Sequence, residues 1–248
     1  MKLICKMLGG SNAYGLQTPQ SDLDYRGVYL YEKSSEIIGL DRFPDTVDKK
    51  EENDEFYYEF RHFLTMLRKS STHAMELLFN TQWIEVDPRF EALHLQKDKL
   101  IDSERMYKSL KGYLQNERRL ANGERTGDLG GKRKASLDLY GFSPRNFVHI
   151  LRLNFCATVF FKKGYYPVNI RNECSDFADS LVTLKTQPES FTKETLNDMA
   201  DIFEQKTDTA FSNRAYSYKF DNDFANRLCL EFYLPILNNE YANFPPIL

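Results

Sequence analysis

A chain of 248 residues can fold as one large domain or two modest ones. An apolar fraction of 42% with 14% aromatic residues excludes a disordered chain. No run approaches the roughly eighteen apolar residues of a membrane-spanning helix, and a net charge of −3 argues against a uniformly nucleic-acid-coating protein.

The first residues, Met1 to Leu8, carry charge too early for a signal peptide and read as a buried strand or helix edge. Gly9-Gly10 then signals a turn. From Asp22 to Glu32 partial alternation with Tyr and Val predicts a strand. Arg42 to Asn53, charged and interrupted by Pro44, reads as a loop. A strand over 54–60 runs into a helix with Phe60, Phe63, Leu64 and Leu67 on one face. A second short helix is expected from Ala74 to Phe79.

From about Ser103 the pattern turns helical. Met106, Leu110, Tyr113 and Leu114 form one stripe, and Val148, Leu151, Phe155 and Val159 form another after the Ser143-Pro144 start signal. Thr192 is the expected N-cap of a third helix with Leu196, Met199 and Phe203 inward. Asn122-Gly123 and residues 127–131 read as flexible connections. The expected organisation is α+β: a mixed α/β domain over 1–100, then a mainly helical domain over 101–248.

Charge is segregated. Residues 108–171 hold thirteen Lys and Arg against four acids, an excess of +9, which leaves −12 for the rest. One face suited to phosphate and another suited to cations is the expectation. The four cysteines, Cys5, Cys156, Cys174 and Cys229, show no metal-ligand spacing and read as reduced thiols in a cytoplasmic protein.

The densest chemistry lies in Gly9-Gly10-Ser11-Asn12-Ala13-Tyr14-Gly15 and Ser21-Asp22-Leu23-Asp24-Tyr25-Arg26. Asp22 and Asp24, two apart on a strand, point to one face as a pair of hard oxygen ligands. Gly10 permits close backbone approach, and free amides with the Ser11 hydroxyl suit phosphate. Arg26 shares the aspartates' face and either tethers a carboxylate or touches phosphate. Tyr14 either lines a nucleotide or belongs to the core.

Gly10-Ser11, a spacer and Asp22-x-Asp24 resemble the signature of DNA polymerase beta superfamily nucleotidyltransferases. The string GSNAYGLQTPQSDLDYRGVYL resembles more narrowly the predicted nucleotidyltransferases associated with RNA ligases and RNA repair. YEFRHFLTMLRKS, MELLF, GFSPRNFVHILRL and FFKKGYYPV fit that family too, so the resemblance runs to about residue 170.

The resemblance implies a polymerase-beta-like catalytic domain completed by a helical one. It also implies transfer of an NMP from an NTP to an acceptor hydroxyl, with two Mg²⁺ or Mn²⁺ ions and release of pyrophosphate. An RNA 3′ end, tRNA-like, is the expected acceptor, gripped by the 108–171 segment. A protein or small-molecule acceptor, a protein partner and a non-catalytic nucleotide- or RNA-binding module remain alternatives.

The family's third carboxylate, flanked by hydrophobic residues on the next strand, matches Glu59 in Tyr58-Glu59-Phe60, with Asp54 and Glu55 as rivals. Strand alternation sets Glu55 and Glu59 on one face and Asp54 on the other. Lys134, Arg145, His149 and Arg152, with Lys132 and Arg133 beside them, resemble helical-domain residues that face the nucleotide.

Overall fold

The structure, a computed structural model, describes residues 1–50, 53–124 and 131–241. In chain order the elements are β1 (Lys2–Leu8), α1 (Gly10–Tyr14), β2 (Asp24–Leu30), α2 (Ser34–Ile38), β3 (Thr46–Lys50), β4 (Asp54–Glu59), α3 (Phe60–Arg68), α4 (Thr72–Phe79), β5 (Trp83–Val86) and α5 (Pro88–Leu95). They continue with α6 (Ser103–Ala121), α7 (Gly131–Tyr140), α8 (Pro144–Lys163), α9 (Ser175–Thr186), α10 (Lys193–Ser212) and α11 (Asn222–Tyr241). The fold is α+β. Residues 127–130 of the expected linker lie outside the described residues. Among the described residues no helix is long and apolar enough to cross a membrane.

The chain divides into two compact units. One holds Met1–Gly10, Asp22–Asp102 and Tyr218–Leu248; the other holds Ser11–Ser21 and Ser103–Ser217. The first long stretch of the sheet unit ends at Asp102. The chain twice breaks the simple order, because residues 11–21 join the helical unit and α11 returns to the sheet unit.

In the first unit the five strands run in the order β3-β4-β2-β1-β5. Among the described residues only β2 and β4 pair in parallel, with Asp24 opposite Asp54 and Tyr29 opposite Glu59. The segment read as a loop contains β3, an edge strand whose Asp48, Lys49 and Lys50 are exposed. An edge strand with charged outward residues lacks the apolar alternation by which strands are read. Strand β5 was likewise not expected.

Helix α3 buries Phe60, Phe63, Leu64 and Leu67, the four residues its spacing predicts. Its last buried neighbour comes from the far end of the chain. The Phe232 ring of α11 lies 4.3 Å from that of Phe60 and carries the Arg89 guanidinium 4.6 Å from its centre. Burial of this aromatic pair closes the sheet unit on its C-terminal helix.

In the second unit α8 is central, packed by α6 and α10. Pro144 opens α8, and Gly164, at φ +81°, ends it in the left-handed conformation that suits glycine. The Thr192 side chain accepts from the Thr195 amide at 3.2 Å and caps α10 as predicted.

Phe232→Ala is expected to cost about 3–4 kcal/mol, the range for removing a buried aromatic ring. Leu234→Ala on the exposed side of the same helix, where Leu234 is 43% exposed, is expected to change stability by less than ~0.5 kcal/mol. Urea titration followed by circular dichroism measures both.

Candidate active site

Strand β1 ends at two glycines. The Gly9 amide donates to the Asp24 carbonyl at 2.8 Å, tying the end of β1 to the start of β2. A Cβ on Gly9 would meet Arg26 Cγ at 2.7 Å, and one on Gly10, at φ +54°, would meet Asp24 Oδ2 at 1.8 Å. Backbone and carboxylate approach this closely only because no side chain intervenes. The buried Asn80 supports the corner from behind, donating through Nδ2 to the Leu8 carbonyl at 2.7 Å. Gly9, read from sequence as half of a turn signal, is thus also a close-packing position, and Asn80 was not singled out from sequence.

Parallel pairing of β2 and β4 sets Asp24 directly beside Asp54. Paired residues of adjacent strands project to the same face, so the two carboxyl groups lie close enough for the Asp54 charge to act on Asp24. Arg26 Nη2 stands 3.7 Å from Asp24 Oδ1 and 3.7 Å from Asp54 Oδ2, while Nη1 donates to the Tyr25 and Asp54 carbonyls at 2.8 and 3.1 Å. This is the tethering role among the two weighed for Arg26.

The Asp24 carboxyl titrates above the usual carboxylate range. Burial is the largest cause; Arg26 opposes it, and the charges of Asp54 and Asp22 add to it. Asp22 does not sit on the strand as expected, since β2 begins at Asp24, but it lies near enough to act on Asp24.

Two hard carboxylate donors side by side, with one arginine against three acids, suit a divalent cation. Magnesium commonly takes one or two carboxylates and completes its shell with water and substrate phosphate. Among the described residues no three His, Cys, Asp or Glu side chains form a ready-made metal cage. Asp24 and Asp54 are the two residues here that could hold such an ion.

Glu59 is not part of this group, a correction to the expected third carboxylate. The register sets it opposite Tyr29, at the other end of β4 from Asp54. There it is 2% exposed and caps α3, accepting from the His62 amide at 2.9 Å and from the Tyr233 hydroxyl. Glu55 projects to the opposite face, where Lys6 Nζ at 2.6 Å and the Tyr57 hydroxyl at 2.9 Å hold its carboxyl below the usual range. Asp54, the rival named from sequence, is the one that meets Asp24.

Ser11 follows Gly10 in α1, and its carbonyl accepts from the Leu16 amide at 2.9 Å. Within the helical unit, the Arg152 guanidinium stacks 3.6 Å from the centre of the Tyr14 ring. Arg152 Nη2 approaches His149 Nδ1 at 3.2 Å, and His149 Nε2 lies 2.9 Å from the Tyr113 hydroxyl. Arginine only donates, so Nδ1 accepts and the imidazole proton resides on Nε2. Arg152 is 1% exposed, whereas Lys134 on α7 and Arg145 at the start of α8 are exposed. Lys132 lies in α7, but its side chain is outside the described residues.

Much of the basic excess of residues 108–171 is matched internally. Lys111 pairs with Glu204 at 2.6 Å and Asp208 at 3.0 Å, Arg118 with Asp201, Lys163 with Glu173 at 2.9 Å and Arg171 with Asp179 at 2.7 Å. Lys108, Arg119, Lys134, Arg145 and Lys162 are exposed and enter none of the ion pairs among the described residues. The cationic surface is narrower than the composition suggests.

The model of the RlaP family, described as an RNA repair pathway DNA polymerase beta family, matches residues 1–229. The match extends well past the residue-170 limit of the resemblance and takes in α9, α10 and part of α11. No curated protein matches the chain.

Gly10→Ala is expected to lower stability by at least ~1 kcal/mol, from the positive φ and the displaced Asp24 carboxylate. Gly112→Ala, where a Cβ meets nothing within 4 Å, is the helical control and is expected to be neutral or stabilising. Thermal melting of both variants beside the wild type reads the difference.

Proposed function

The chain belongs to the RNA repair pathway DNA polymerase beta family, and from that premise we propose that it is a Mg²⁺- or Mn²⁺-dependent nucleotidyltransferase acting on an RNA 3′ end. An acceptor hydroxyl oxygen forms a bond to the α-phosphorus of an NTP. The bond from that phosphorus to the bridging oxygen breaks, and pyrophosphate leaves with the electron pair.

The observation that carries the reading is the pairing of Asp24 with Asp54 beside the side-chain-free Gly10. Asp24 and Asp54 are the proposed metal-holding carboxylates, with Asp22 adding negative charge. When bound, paired divalent cations neutralise charge on the attacking and leaving oxygens of an in-line displacement. Arg26 keeps the two carboxylates together and limits their repulsion before a cation arrives. Asp54 takes over the role first assigned to Glu59, including acceptance of the hydroxyl proton.

Gly10 and Ser11 are the proposed phosphate contacts, Gly10 by its bare backbone and Ser11 by its amide and hydroxyl. The exposed Lys134 and Arg145 are the proposed contacts to the RNA backbone, which reads charge rather than sequence. A tRNA-like acceptor is favoured by the family's place in RNA repair.

Incubation with each α-labelled NTP, Mg²⁺ or Mn²⁺ and total RNA is expected to place label on RNA. Label on protein or a small molecule instead would move the acceptor class, and no label with any NTP would overturn the reading. Asp24→Asn and Asp54→Asn are each expected to lose at least ~10³-fold in rate, because metal charge stabilisation is worth several kcal/mol. Glu59→Gln is expected to keep its rate within about tenfold while melting at lower temperature, since it caps α3 rather than touching substrate.

A further inference from the structure

The residues between the glycine corner and the first aspartate carry little structure of their own. Ser11–Tyr14 complete the short helix α1, and residues 15–21 after it hold only turns, with the Gly15 amide bonded to the Asn12 carbonyl, the Leu16 amide to the Ser11 carbonyl and the Ser21 amide to the Thr18 carbonyl. Its shape is taken from long side chains of the helical unit to which it belongs.

Three cations hold it. Arg171 Nε donates to the Gly15 carbonyl at 2.9 Å, and Lys185 Nζ reaches the Leu16 carbonyl at 3.5 Å and Ser21 Oγ at 3.3 Å. The third is the buried Arg152, whose guanidinium lies flat on Tyr14. Gly15 is itself moulded to this support. It adopts φ +73°, and a Cβ there would meet Asn169 Oδ1 at 2.5 Å and Arg171 Cβ at 2.8 Å. The Asn169 side chain in turn accepts from the Arg171 amide at 3.1 Å, fixing the turn that carries the arginine.

We infer that Arg152 and Arg171 are positioning residues for NTP binding, which hold Ser11–Ser21 in the one shape that presents Ser11. The inference rests on the transferase reading above and deepens it. It also changes the role of Arg152, expected from sequence to face the nucleotide. A guanidinium 1% exposed, stacked on Tyr14 and donating to His149, acts through the segment and not on phosphate. Binding is the step that depends on this shape, because an unrestrained loop must be ordered when the ligand arrives.

Arg152→Met, Arg171→Ala and Arg171→Lys, with Lys162→Ala as a surface control, test the inference by two readouts. Steady-state kinetics are expected to show KM for the NTP raised about tenfold in Arg152→Met and Arg171→Ala, with kcat within about threefold. Arg171→Lys is expected to recover part of the loss, and Lys162→Ala to match the wild type. Amide hydrogen exchange without nucleotide is expected to quicken across residues 11–21 and to stay unchanged along β2.

Unchanged exchange over 11–21, or a fall in kcat with KM unmoved, would overturn it. Arg171 is 39% exposed at its side chain, so its variants report even where Arg152→Met does not fold. A wild type that transfers nothing to any acceptor sinks the transferase reading. Exchange and direct NTP titration of the same variants then still decide whether the arginines set the segment's shape and its ligand affinity.

Discussion

Two like charges placed side by side organise the sheet unit. Asp24 and Asp54 face each other across the parallel β2–β4 pair, and burial with mutual repulsion lifts the Asp24 carboxyl above its ordinary range. Such an arrangement opposes folding. A carboxyl whose folded value is raised contributes stability only below its unfolded pKa, and that contribution is lost as pH rises through the raised value. At neutral pH the pair is therefore a local cost, borne by buried contacts such as Phe60–Phe232 elsewhere in the unit. Cost concentrated at one glycine-lined corner is what the proposed cation site would explain.

The surrounding residues follow from that constraint. Gly10 lacks a side chain because Asp24 Oδ2 occupies the place of its Cβ. Arg26 spans both carboxylates at 3.7 Å, one cation between two acids. Glu59, although carboxylate-bearing and on the same strand, serves the opposite end: it caps α3 and receives Tyr233 from α11. Burial and the Glu59 charge push the Tyr233 hydroxyl well above its ordinary titration range, so it stays a hydrogen-bond donor at any physiological pH. One strand thus carries the proposed metal-holding carboxylate at its start and a helix cap at its end.

What the sequence made legible was local. The Gly10-Ser11 and Asp22-x-Asp24 spacing located the corner, the apolar spacing of 60–67 located α3, and Thr192 announced α10. What it hid was non-local. Alternation correctly separated Asp54 from Glu55 and Glu59, but only the β2–β4 register says which face meets Asp24. Edge strand β3 was invisible because its outward residues are charged. The +9 excess over 108–171 overstated the free cationic surface, because its partners, Glu173, Asp179, Asp201, Glu204 and Asp208, lie outside that window. The return of α11 to the sheet unit likewise depends on contacts between residues far apart in sequence.

Mn²⁺-dependent thermal stability of the wild type and Asp24→Asn at neutral pH tests the central claim most directly. Without metal the variant is expected to melt at the wild-type temperature or a few degrees above it, since repulsion between the two carboxylates is relieved. Saturating Mn²⁺ is expected to raise the wild-type melting temperature and leave the variant unmoved. A variant that melts lower without metal and gains the same increment from Mn²⁺ as the wild type would contradict the claim that this carboxylate pair is a cation site.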